Sequence, residues 1–323
     1  MRRSRVLGAA AGSAALVLLI WHTGLGDIAA HVRGSGYLVA AVLLASGLRL
    51  LLQTCAWATA LRAEGCHESL PQLIGIRLAS QATGYLAALG PIVSEPTKVF
   101  LLRKVGMTGA IAPATLVETG MYWFITVLLG LAGTFAAGLL VADASIVFAP
   151  LAVFAAAAGL LVARRPLLSH LTARIGAHAP RWLRAAAEVE EQIRSFRLRH
   201  PQAAWRLLIL DAAAQVLTLA EVAGALWTAG LAPSIPGLLA IEAAVRMVKI
   251  AAAWIPGRIG VDEGGAMAAF ALLGFPSAAG LMLALARRAR DGLWCLLGVF
   301  WLTISGVRGA PIKPGRTPST GVM

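Results

Sequence analysis

Apolar residues run through this chain in stretches long enough to cross a bilayer, and the polar residues fall in short interruptions between and within them. A hydrocarbon core of about 30 Å needs roughly 20 helical residues at about 1.5 Å each. Val6 to Trp21, extendable to Leu25, meets that length as a first, uncleaved span. Tyr37–Leu61, with Arg49 inside it, is a second; Thr108–Val141, with Glu118, and Ala144–Ala163 follow. Leu207–Ala229 contains Asp211 and Glu221, and Ser277–Val307 carries Arg287, Arg288, Arg290 and Asp291 part way along. Arg164–Arg206 is the one substantial hydrophilic segment. Its nine Arg against three Glu, with Trp182, Ile193 and Phe196 interspersed, predict surface helices lying on the membrane. The Pro- and Gly-bearing tail, 309–323, is expected to be disordered.

Two places break the pattern in the same way. Pro71–Leu89 reads as a moderately apolar helix that stops at Gly90-Pro91, after which Glu95–Leu102 is only eight residues, roughly 12 Å of helix. Pro236–Trp254, holding Glu242, Arg246 and Lys249, ends at Trp254–Gly265, and a short arm from Gly264 to Gly274 returns. Pro91, Pro256, Gly257 and Gly260 are the helix-breaking residues, and a carboxylate, Glu95 or Glu263, follows each break. Broken helices at membrane depth are tolerated only where protein or a watery cavity surrounds them, so both point to a site. Residues 71–102 admit either a re-entrant hairpin or ordinary spans.

Composition agrees with the pattern. Of 323 residues only 13% are charged, against about 25% in a soluble domain, which makes this an all-α polytopic membrane protein. The net charge of +13 would suit a nucleic-acid partner in a soluble chain. Here it is sorted by side. With six full spans and two hairpins, 18 of the 28 Lys and Arg fall on one side together with both termini, Arg33 alone falls on the other, and nine lie within membrane segments. That bias places both termini in the cytoplasm. It also gives the hairpins opposite orientations, the mark of an inverted-topology repeat with a site near the midplane. A single transmembrane domain over 1–308, with 164–206 as its basic cytoplasmic loop, is expected.

Eight acids also fall in membrane segments: Glu95, Glu118, Asp211, Glu221, Glu242, Asp262, Glu263 and Asp291. A charge at the centre of a spanning helix costs about 2.5–3.5 kcal/mol on insertion scales, so these groups must face protein, water or a partner charge. Glu242 and Arg246 stand at i,i+4, and Asp262 and Glu263 flank Arg258, so local pairing is available. For an isolated group such as Asp211 or Arg49, a strut between helices and a functional role are equally open. At the breaks function is favoured, because a helix start exposes amides that attract anions such as phosphate. Helix caps for the short arms are the lesser alternative for Glu95 and Glu263.

Other chemistry is sparse. There is no Walker-type loop and no His-Glu-x-x-His, and Gly257-Arg258-Ile259-Gly260 falls short of a dinucleotide fingerprint. Cys66-His67-Glu68 is a metal trio by residue type only, since adjacent residues do not converge on one ion. The three scattered cysteines imply no disulfide framework. No cofactor, no metal and no catalytic group is expected.

At its two breaks the chain resembles the flippase-like membrane proteins related to the transmembrane domain of lysylphosphatidylglycerol synthases. That family's first pattern, Pro, then Gly-Glu, then a basic residue three on, corresponds to Pro91, Ser94-Glu95 and Lys98, with Ser for Gly and Lys for the usual Arg. A Glu starting the next span is similar to Glu118. The second pattern, Pro-Gly-x-x-Gly-x-x-Glu, matches Pro256 to Glu263 in full, and Ala284-Leu285-Ala286-Arg287 and Gly298 match the last. The Arg-rich segment Arg287–Asp291 is similar to a branch linked to hopanoid production. The resemblance implies two re-entrant hairpins meeting in a bacterial inner membrane and movement of lipids between leaflets. Lysyl-lipid synthases carry a soluble transferase domain after the membrane part; with the sequence ending at Met323 the chain is expected not to be a synthase. The headgroup pathway would then run past Glu95, Lys98, Glu118, Arg246, Lys249, Arg258, Glu263 and Arg287. Membrane lipids are the expected partners, with lipid-synthesis enzymes or further copies of the chain beside them, and nucleic acid is excluded. A membrane-embedded headgroup transferase and a non-transporting subunit of a lipid-synthesis complex are the alternatives.

Overall fold

The computed structural model describes residues 36–86, 90–104, 110–141, 167–178, 180–255, 258 and 260–304. Among them the regular structure is entirely helical: α1 (Gly36–Ala63), α2 (Leu70–Leu86), α3 (Gly90–Lys104), α4 (Ile111–Val141), α5 (Leu167–Ile175), α6 (Arg181–Arg199), α7 (Pro201–Thr228), α8 (Ile235–Ala251), α9 (Val261–Leu272) and α10 (Ser277–Ile304). The expected first span, the Ala144–Ala163 span, Pro256, Gly257 and the tail lie outside the described residues.

Among the described residues, three helices are long and apolar enough to cross a membrane: α1, α4 and α7, of 28, 31 and 28 residues. Helix α10 is equally long, at 28 residues, but carries the charges Arg287 to Asp291 at its middle. Polarity is reversed relative to a water-soluble protein. Leu44, Phe135, Leu139, Val216 and Leu296 are exposed, while Arg77, Lys98, Glu118, Asp211, Glu221, Glu242, Glu263, Arg287 and Arg290 are buried. Apolar out and charged in is what lipid as solvent demands.

The series long helix, two shorter helices, long helix occurs twice. Helices α1 to α4 have 28, 17, 15 and 31 residues, and α7 to α10 have 28, 17, 12 and 28. Packing repeats too: α2 lies on α3 and on α10, while α8 lies on α9 and on α4, and α1 packs along α7. That last pair is antiparallel. Leu38 and Val42 at the start of α1 pack with Val222 and Leu226 at the end of α7. At the other end, Ala60 and Leu61 pack with Ala204 and Leu207. Each hairpin therefore sits in an apolar cluster at its own end of the α1/α7 pair, α2/α3 with Leu61 and Phe196, α8/α9 with Leu38 and Phe270. The charged residues lie between the two clusters.

Two glycines lock the halves together at matching places. A Cβ on Gly133 of α4 would overlap the backbone carbonyl of Leu239 in α8, and a Cβ on Gly298 of α10 would overlap that of Leu78 in α2. Small residues permit this backbone approach where lipid leaves no hydrophobic force between helices.

The arms start earlier than their sequences imply. Helix α3 begins at Gly90 and takes in Ser94, Glu95 and Pro96, so the return arm is 15 residues, roughly 22 Å, rather than eight. Pro91 sits in the first turn, where its missing N–H breaks no helical bond, and Pro96 is accommodated inside the helix. Helix α9 begins at Val261, three residues before Gly264. Gly260, at φ 80°, takes the left-handed turn into it, and the Glu263 carboxylate accepts the Gly260 N–H at 2.8 Å. Helix α8 stops at Ala251 rather than Trp254. In the basic segment, Ile193 and Phe196 of α6 pack into the protein's own core beside Leu61 and Leu207, and Ile193 meets Gly120 of α4. The apolar face of α6 is thus used against the protein, where the sequence pattern alone is equally consistent with a lipid surface.

Candidate functional site

A cavity of about 430 Å³ opens at the middle of the fold. Its wall takes Arg49 from α1, Arg77 and Tyr85 from α2, Ser94, Glu95 and Lys98 from α3, Glu118 and Tyr122 from α4, Lys249 from α8, Arg258 from the α8–α9 connection, and Asp291 and Trp294 from α10. Both hairpins and both halves contribute.

On the first-half side the charges form a closed network. Lys98 Nζ donates to both Glu95 oxygens at 2.8 and 2.9 Å and lies 3.7 Å from Glu118 Oε2. It also stands 5.6 Å from the centre of the Trp57 ring, within cation–π range. Arg77 donates to Glu118 Oε1 at 3.2 Å and to the Gln53 carbonyl at 2.9 Å, and Thr119 Oγ1 donates to Glu95 at 2.8 Å. Two cations face two carboxylates. Placing the Glu95–Lys98 pair one turn apart on α3 is what the Glu-x-x-Lys spacing does on any helix.

On the second-half side carboxylates are shared. Glu221 accepts from Arg287 at 2.8 Å and from Arg290 at 2.8 Å, and Glu242 accepts from Arg287 at 2.9 Å and from Arg246 at 2.8 Å. Arg290 also reaches Asp291 at 2.9 Å, and Arg246 reaches Gln215. At the hairpin, Arg258 pairs with Asp262 at 3.2 Å, while Arg288 pairs with Glu263 and donates to Tyr85 Oη and the Arg258 carbonyl, each at 3.2 Å.

The two networks swap sign. In the first half α2 supplies the cation, Arg77, and α4 the carboxylate, Glu118; in the second half α8 supplies the carboxylate, Glu242, and α10 the cation, Arg287. Among the described residues, every ion pair within the two four-helix series closes inside its own series. Between them run hydrogen bonds without a carboxylate: Arg49 to Thr218 at 3.3 Å, Gln215 to Thr126 at 2.8 Å, Trp294 to Ser46 at 3.2 Å, and Arg288 to Tyr85.

Of the residues singled out in the sequence, Glu95, Lys98, Glu118, Lys249 and Arg258 line the cavity. Arg287 lines a smaller neighbouring pocket with Lys249, Arg288 and Asp291. Arg246 lines neither, being held between Glu242 and Gln215, and Glu263 lines neither, being fully buried under Arg288. Glu263 is the helix cap that its position allowed; Glu95, six residues into α3, is not. The wall also holds Arg77 and Tyr85, which the breaks do not announce. Arg77 carried one signal, a base inside an otherwise apolar helix. Asp211 is wholly buried beside the first network with neither carboxyl oxygen hydrogen-bonded to a described residue. No group of three potential metal ligands forms among the described residues; Cys66 is buried and His67 exposed.

The chain matches the family model of the lysylphosphatidylglycerol synthase TM region over residues 5–298, and it belongs to that family. No curated protein and no solved structure matches it.

Proposed function

We propose that this multi-pass membrane protein is a lipid translocase, passing a polar headgroup between leaflets through the cavity between its hairpins. The observation that carries the proposal is a charged cavity of about 430 Å³ at the centre of an all-helical protein whose outer surface is apolar. A headgroup has no low-energy route through hydrocarbon, and a charged, partly open interior supplies one. Both hairpins fall short of a 30 Å core, with arms of 17, 15, 17 and 12 residues, which favours re-entrant hairpins over four further spans. The antiparallel α1/α7 pair and the doubled four-helix series favour an inverted-topology repeat around that cavity. Together with the two spans expected from the sequence at Val6–Trp21 and Ala144–Ala163, the reading is six full spans and two hairpins, both termini on the basic, cytoplasmic side of a bacterial inner membrane. Lipids are the partners, and the chain makes no covalent change to them.

Reconstitution into vesicles with a fluorescent phospholipid tests this. Wild type should expose inner-leaflet label to an impermeant quencher. Glu95→Gln, which alters the cavity wall while Lys98 keeps Glu118, should slow that exposure about tenfold, the weight of one charge-assisted contact. Protein-free rates with well-folded wild type would overturn the proposal.

A further inference from the structure

The ion pairs around Glu221, Glu242 and Asp291 leave two cations of the cavity wall, Arg49 and Lys249, without a carboxylate in hydrogen-bond reach among the described residues. Around Glu221, Glu242 and Asp291 stand five cations: Arg49, Arg246, Lys249, Arg287 and Arg290. Three of these arginines consume the three carboxylates. Arg287 takes Glu221 and Glu242, Arg246 shares Glu242, and Arg290 takes Glu221 and Asp291. Lys249 makes no hydrogen bond or ion pair with any described residue, and Arg49 has only the Thr218 hydroxyl. Both line the cavity, and both lie near enough to Asp291 to act on its charge. Arg258, the other second-half cation on that wall, is matched by Asp262, and on the first-half side Arg77 and Lys98 are matched by Glu118 and Glu95.

Two cations in the middle of a membrane protein with no carboxylate in direct contact are costly unless water or an anion meets them. They come from opposite halves, α1 and α8, and the cavity between them offers an anion donors from both sides. We propose that Arg49 and Lys249 form a phosphate-binding site in the cavity wall, which takes a phosphodiester or phosphomonoester anion; if the transport reading holds, this is the headgroup phosphate of the transported lipid. A planar guanidinium pairs two oxygens of a phosphate at once, and a lysine ammonium reaches a third as a point charge. The site prefers anionic lipids over neutral ones of the same chain length. Asp291 and Asp262 oppose such an anion, but each is already engaged, by Arg290 and by Arg258, so the local balance stays positive.

The test is binding by the purified full chain in neutral detergent, measured by calorimetry. Three probes are used: short-chain phosphatidylglycerol, inorganic phosphate, and diacylglycerol of the same chain length. Phosphatidylglycerol should bind, and Lys249→Gln or Arg49→Gln should each weaken it about tenfold or more, the loss expected for one charged hydrogen bond. Lys249→Arg should bind within about threefold of wild type, because charge and reach are kept. Lys249→Gln removes a cation with no hydrogen-bond partner among the described residues, so its melting temperature should match or exceed wild type, and Arg49→Gln should lose no more than its one bond to Thr218, which separates lost binding from lost folding. Inorganic phosphate that binds with the same sensitivity to both variants, while the lipid does not bind, supports the anion site and assigns it to a free phosphate. Diacylglycerol binding as tightly as phosphatidylglycerol overturns the site, and so does binding unchanged in both Gln variants. Failure of the transport reading is a separate result: a wild type that binds phosphatidylglycerol but does not move it in vesicles keeps the site and loses the translocase.

Discussion

The two hairpins carry one carboxylate each after the turn, and the fold treats these carboxylates in opposite ways. Glu263 is sealed, with no exposed surface, bonded to the Gly260 N–H and paired with Arg288. Glu95 keeps about 30% of its side chain exposed on the cavity wall and holds Lys98 and Thr119. One carboxylate builds a helix start; the other faces the space where a ligand would pass. Similar motifs at equivalent places in a repeat therefore need not share a duty, and burial decides between them.

The strongest way to break that comparison is to neutralise both. Glu263→Gln removes the carboxylate paired with the part-buried Arg288, and breaking such a pair costs about 3–5 kcal/mol. Because Arg288 retains Tyr85 and the Arg258 carbonyl, about 3 kcal/mol is expected, read as a fall in melting temperature and in monodisperse yield from detergent. A Glu263→Gln protein that melts like wild type would remove the structural role. Next come the two glycine contacts. Gly133→Ala and Gly298→Ala each push a methyl into a backbone carbonyl of the opposite half, an overpacking of about 1–3 kcal/mol, and the two should lose nearly the same amount. Unequal losses in thermal melts would show that the halves are not packed alike. Smallest is the stability effect of Glu95→Gln, about 1 kcal/mol or less, since the pair is partly exposed and Glu118 still faces Lys98. A large loss there would put Glu95 with Glu263 as a structural group.

Much of this was legible in the sequence because lipid imposes simple rules on composition. Arg49, Glu118, Glu221 and Glu242 stand out as charges inside apolar runs, and the i,i+4 pairs Glu242–Arg246 and Arg258–Asp262 follow from spacing alone. The start of α3 was less legible. Pro91 and Pro96 look like a break, yet a proline in the first turn loses no bond, and tertiary packing carries the helix past the second. Long-range partners were not legible at all. Nothing local to Arg77 names Glu118, 41 positions on, and nothing local to Arg287 names Glu221, 66 positions back. The same holds for α6: an amphipathic basic helix fits a membrane surface or a protein face equally well, and only the burial of Phe196 chooses.

The confinement of ion pairs to each half has a mechanical consequence. If α1–α4 rock against α7–α10, no buried salt bridge identified among the described residues has to part. The ties that would break are hydrogen bonds such as Arg49–Thr218, Gln215–Thr126 and Trp294–Ser46, worth about 0.5–1.5 kcal/mol each. Tearing one buried ion pair would cost about 3–5 kcal/mol, so among the described residues the seam between the halves is held by weaker polar contacts than either half is within itself. An anion held jointly by Arg49 and Lys249 would then be an ionic strut across that seam, and its arrival and departure would set how stiffly the halves are coupled.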